Sequence, residues 1–125
     1  MPGAVAGFMP RPSNKELFNK IKTGKEIVAN GNIYLINQEA IAEDAIELGY
    51  QIIKLQSILL ALLKEVQLEN YIGGRPPRKS YETQIEGLEL FVFRWASRKM
   101  GCDVYLKYCL KNDVFYLVSL HKNRS

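Results

Sequence analysis

The chain is 125 residues long and 47% apolar, which suits one compact domain whose core needs no disulfide staples. Seventeen Lys and Arg against thirteen Asp and Glu give a net charge of +4 at pH 7. Two cysteines, one histidine and no CxxC pair argue against zinc or thiol-redox chemistry, so no metal or other cofactor is expected and a reducing cytoplasm is the expected setting.

The N-terminal run MPGAVAGFMPRPSNK lacks a basic n-region and breaks at Pro10, so residues 1–12 read as a disordered lead and residues 13–125 as a single domain. Ser13, with Glu16 three residues later, has the pattern of a capping box opening a short helix with Leu17 and Ile21 on one face and Gly24 as its stop. Asn30, Gly31 and Asn32 break the chain before the apolar patch IYLI. Asn37 then caps a second helix that runs through Ile41, Ala45 and Leu48 to a C-terminal Gly49. Ile52, Leu55, Leu59, Leu62, Leu63 and Val66 recur at helical spacing and predict a third helix ending near Asn70. Its apolar stretch SILLALL is far too short for a bilayer core of about 30 Å and reads as a core helix.

Gly73, Gly74, Pro76 and Pro77 interrupt regular structure, and beyond them the period becomes strand-like. Strands are predicted over 88–95, 104–110 and 114–121, the last two joined by a turn of Lys111, Asn112 and Asp113. The expected fold class is α+β, with N-terminal helices packed on a small C-terminal antiparallel sheet.

Charge separates the two segments. Residues 1–71 carry seven basic and eight acidic side chains, whereas residues 72–125 carry ten and five, an excess of +5. Such an asymmetry points to a polyanionic partner for the strand-rich segment, although a solvated basic face has the same composition.

Alternation along the strands identifies a surface. Tyr105, Lys107 and Cys109 share one face of their strand; Val104, Leu106, Tyr108 and Leu110 share the other. Cys102 falls opposite Cys109, so the two do not pair. On the last strand His121 is expected beside Ser119 and Leu117, opposed by Val118 and Leu120. Val92 and Arg94 oppose Phe91, Phe93 and Trp95. One assembly gathers Arg94, Tyr105, Lys107, Ser119 and His121 on a common polar face, but a one-residue slip would reverse any strand.

That combination suits phosphate chemistry. Cleaving RNA without a metal takes a base for the ribose 2′-OH proton, a cation for the charged phosphorane and an acid for the departing 5′ oxygen. Histidine titrates near neutrality and fits the proton transfers. Arg and Lys fit the cation role. Tyrosine orients a ribose or phosphate, or stacks on a base.

LENY at 68–71, KSYE at 79–82, LELFVFRW, GCDVYLKYCL and FYLVSLHK follow one another in an order that resembles the MqsR-type toxins of the RelE-like superfamily of bacterial mRNA interferases. AEDAIELGY is similar to the alanine- and leucine-rich helix of that family, and VYLK followed by VSLH is the most specific part. The resemblance implies a RelE-like toxin fold and an endoribonuclease that cuts mRNA at a short sequence and is neutralised by a cognate antitoxin. By position it implies catalytic roles for Lys79, Tyr105 and His121. A glutamine found in some members has no counterpart in the first strand, which leaves Arg94 or a neighbour to serve there. Arg78, Lys107 and Lys122 are the expected substrate-binding cations. Two other functions fit the same residues: a non-catalytic nucleic-acid-binding module, and a protein-interaction domain that uses the aromatic strand.

Overall fold

A computed structural model describes residues 10–123. Its regular elements are α1 (Asn14–Ala29), β1 (Ile33–Leu35), α2 (Gln38–Leu48), α3 (Leu55–Glu65), β2 (Phe91–Ser97), β3 (Cys102–Lys111) and β4 (Val114–Lys122). The architecture is α+β, with helices first and most of the sheet last. Most of the lead expected over residues 1–12 lies outside the described residues. Of its end, Pro12 is buried and Arg11 bridges Glu16 and Glu89 at 2.6 and 2.9 Å.

Local signals set the helix starts. The Ser13 hydroxyl accepts from Glu16 N, and the Asn37 side chain accepts from Ala40 N, each satisfying an otherwise orphaned helical N–H. The reciprocal half of the Ser13 box is not made, because the Glu16 carboxylate is taken by Arg11. Gly49 closes α2 in the left-handed conformation at φ +85°.

Gly24 does not stop α1. The helix continues to Ala29 because Gly24 is a packing position: a Cβ there would stand 3.4 Å from the Phe115 ring and 3.7 Å from Tyr108. A glycine inside a helix costs about 1 kcal/mol relative to alanine, and here it allows α1 to lie close against the aromatic side chains of β3 and β4. The third helix is also shorter than its periodicity suggests. Ile52 and Ile53 lie in an exposed 3₁₀ turn before it, and Val66, although buried, is already extended after it.

The sheet has the order β1-β4-β3-β2. It is mixed, not wholly antiparallel, since the patch IYLI contributes a three-residue strand that pairs parallel with β4, Ile33 opposite Phe115 and Leu35 opposite Leu117. The strand expected over 88–95 runs instead from Phe91 to Ser97. Residues 88–90 pair with 78–80 to form an arm, through Ser80 N to Leu88 O and Leu90 N to Arg78 O at 2.8 Å each. The β3–β4 turn places only Asn112 and Asp113 between the paired Lys111 and Val114. Both have positive φ, 51° and 59°, as a two-residue type I′ turn requires.

One face of the sheet carries the core. Phe91, Phe93, Leu106, Tyr108, Phe115, Leu117 and Leu120 are fully or almost fully buried there with Leu17, Leu59, Leu62 and Leu63 of the helices. Each such side chain stabilises by about 1.5–3 kcal/mol relative to exposure. The Tyr108 ring stacks on Phe115 at 4.5 Å, and its hydroxyl donates to Lys20 O of α1. Burial without a countercharge pushes the Tyr108 hydroxyl far above the ordinary tyrosine pKa.

Candidate active site

The opposite face of the sheet is organised by register. Arg94, Tyr105 and His121 stand in one cross-strand row of β2, β3 and β4; Val92, Lys107 and Ser119 form the next. The expected polar surface is therefore assembled, with one correction. A bulge between the Lys107 and Tyr108 pairings leaves Val118 as the extra residue of β4, so Leu117 crosses to the core opposite Tyr108 and Val118 joins the polar face. Leu117 and His121 do not share a face, contrary to simple alternation.

Within the first row, Tyr105 and His121 stack, with ring centroids 4.6 Å apart and planes 12° from parallel. The His121 Nδ1 lies 3.0 Å from the Lys122 carbonyl oxygen, which can only accept. Nδ1 therefore carries the proton, and in neutral imidazole the lone pair sits on Nε2. That tautomer leaves the Nε2 lone pair free to accept a proton. The Lys107 ammonium lies 5.9 Å from the Tyr105 ring centroid.

Tyr105 and Lys107 form the floor of a cleft of about 300 Å³ whose walls are Ile72, Gly73, Gly74, Arg78, Leu90 and Val92. Tyr71 shapes one wall: its ring is buried, its hydroxyl donates to Gly74 O at 2.6 Å, and Ile72 N donates to Val92 O. A second cleft, about 290 Å³, adjoins the first through the shared Arg78, Leu90 and Lys107 and continues between the 78–90 arm and Val118. Lys79 and Tyr81 line this part, and Glu82 is its acidic member. Ile85 of the arm and Cys109 of β3 are buried outside the main core. Burial lifts the Cys109 thiol to about 11, against a smaller downward pull from Lys107.

The groove thus brings Tyr105, Lys107, Arg78 and Lys79 together, with His121 on its margin through the stack. It does not gather every expected residue. Arg94 stands in the right row, but its guanidinium pairs with Asp103 at 3.7 Å and lines neither cleft. Lys122 is opposite Val104, a core position, so it projects on the helical side and away from Tyr105. Sequence reasoning missed the Ile72–Gly74 wall and Tyr81. The Gly-Gly pair was a visible sign of close backbone approach, whereas only the arm's pairing with 88–90 reveals where Tyr81 is carried.

Arg11 links this region to the start of α1. It donates to both Glu16 and Glu89, and the bond from Arg11 holds the Glu89 carboxyl below its ordinary pKa although burial opposes this. No helix among the described residues is long and apolar enough to cross a membrane alone. No protein-family model matches the chain, and no curated protein shows significant similarity to it.

Proposed function

We propose that the protein is a metal-independent endoribonuclease that cleaves mRNA on the Tyr105–His121 face, in the manner of the MqsR-type, RelE-like toxins it resembles, and that a cognate antitoxin neutralises it. The observation that carries the reading is the stacked Tyr105–His121 pair at the margin of a groove lined by Arg78, Lys79 and Lys107. A proton-transfer group, a phenol and three cations around an open channel match the needs of a ribose 2′-OH attacking its own phosphodiester.

In this mechanism His121 Nε2 takes the 2′-OH proton as the 2′ oxygen bonds to phosphorus. The P–O5′ bond then breaks, leaving a 2′,3′-cyclic phosphate and a 5′-OH. Arg78 and Lys107 hold the non-bridging oxygens, whose charge grows in the transition state. The Tyr105 hydroxyl orients the phosphate, and a lysine ammonium of the groove, Lys79 or Lys107, supplies the proton to the departing 5′ oxygen.

The test is incubation of the protein with mixed-sequence RNA in EDTA, beside the same RNA carrying 2′-deoxy substitutions at the mapped cut sites. Cuts that leave cyclic phosphate and 5′-OH ends and disappear at deoxy positions are expected. Salt-sensitive binding with no cut products would replace this reading with that of a non-catalytic nucleic-acid module.

A further inference from the structure

Away from the sheet's polar face, α1, the end of α3 and the segment after it line a groove of about 240 Å³. Its apolar lining is Ile21 of α1 with Leu63, Val66 and Leu68 of α3 and the segment after it. Phe18, 57% exposed, stands at its edge. The rim is cationic: Lys22 and Lys25 lie three residues apart on one face of α1, and Lys64 faces them from α3. No carboxylate lines the groove, and among the described residues no ion pair involves these three lysines.

From this charge and shape we infer that the groove is the docking site of an acidic, amphipathic segment of a protein partner. Three unpaired lysines around a hydrophobic floor concentrate positive potential and are complemented by carboxylates flanking apolar anchors. The volume is below the roughly 300–1,000 Å³ of small-molecule sites and admits one or two apolar side chains presented by a larger molecule. A helix laid along the groove places anchors at i, i+3 and i+4 on the floor, with acidic residues toward the lysines. RNA is the poorer occupant, because its bases seek aromatic faces and arginine planes whereas this floor is aliphatic. The groove lies on the helical side of the molecule, so an occupant leaves the Tyr105–His121 face open. The inference does not rest on the nuclease reading.

The full chain, labelled with ¹⁵N, is titrated with a synthetic helical peptide of about four turns that carries leucines on one stripe and glutamates beside it. Control peptides replace the leucines by serine or the glutamates by lysine, and a single-stranded RNA oligonucleotide is titrated separately. The acidic peptide is expected to shift the amide signals of Phe18, Lys22, Lys25, Lys64 and Leu68, and to bind about tenfold more weakly to Lys22→Glu/Lys25→Glu, two rim charges being reversed. Phe18→Ala should weaken it as well, and unchanged melting temperatures show that both variants are folded. Equal binding of the lysine peptide, unchanged affinity in the double variant, or shifts centred on Tyr105 would overturn the inference. Displacement of the peptide from the groove by RNA, or concentration-dependent shifts of these signals without peptide, would overturn it in favour of a polyanion or a second copy of the chain.

Discussion

Replacing Glu65 by glutamine isolates the contact that ties the last turn of α3 to the β2–β3 connection. The Glu65 carboxylate accepts from the Trp95 indole N–H at 2.6 Å and from the backbone N–H groups of Arg98 and Lys99 at 2.9 and 3.0 Å. Burial pushes its pKa up, but the bonds from Ser97, Trp95, Lys99 and Arg98 outweigh this and hold it below the ordinary value. The substituted amide would keep one acceptor oxygen and turn its NH₂ group toward N–H groups that can only donate. Hydrogen bonds to a charged acceptor are worth about 1.5–3 kcal/mol each. Because water reaches this carboxylate, a net loss of about 1–2 kcal/mol is expected, or about 4–8 °C in melting temperature for a chain of this size. Urea unfolding followed by the fluorescence of Trp95, the only tryptophan, measures the change at its site. The pH dependence has a definite sign. A carboxyl whose folded pKa is depressed contributes stability above its unfolded pKa, near 4.3, and loses it as pH falls through the lower folded value. The gap between wild type and Glu65→Gln should therefore be full at pH 7 and narrow below about pH 4. Identical urea midpoints at pH 7, or a gap that stays constant down to pH 3, would rule out this role for the Glu65 carboxylate.

Asp113→Gly should stabilise by about 0.5–1 kcal/mol, because Asn-Gly relieves a non-glycine φ of +59° in the type I′ turn; chemical denaturation reads the gain. Leu59→Ala, which empties a fully buried position on α3, should cost about 2–5 kcal/mol and lower the melting temperature by about 8–20 °C. A thiol reagent at pH 8 should modify the partly exposed Cys102 far faster than Cys109, which is buried with its pKa raised to about 11, and peptide mapping of the labelled protein distinguishes the two.

What the sequence disclosed follows the range of the interactions involved. Ser13, Asn37 and Gly49 act on backbone groups within a few residues, so their roles at helix ends were legible. The parity of Arg94, Tyr105, Lys107 and His121 was legible too, because side chains alternate wherever a strand is regular. Gly24 misled because its value lies in the approach of α1 to Phe115, 91 positions away in the chain. Ile33 to Leu35 is too short to show a period, and only its partner β4 makes it a strand. The bulge at Val118 and the reach of Arg94 toward Asp103 depend on how neighbouring strands meet, which no local pattern encodes. The cleft required the arm at 78–90 to fold over the sheet, a long-range pairing with only a Gly-Gly and Pro-Pro punctuation to announce it.

Proton transfer on RNA by the imidazole at the end of β4 is read by the single-turnover cleavage rate of His121→Ala beside wild type, with the fold checked by melting temperature. A loss of about 10²- to 10⁴-fold is expected with RNA affinity nearly retained, since Arg78, Lys79 and Lys107 remain in the groove. Cleavage by a folded His121→Ala protein at the wild-type rate would contradict it and remove His121 from the chemistry.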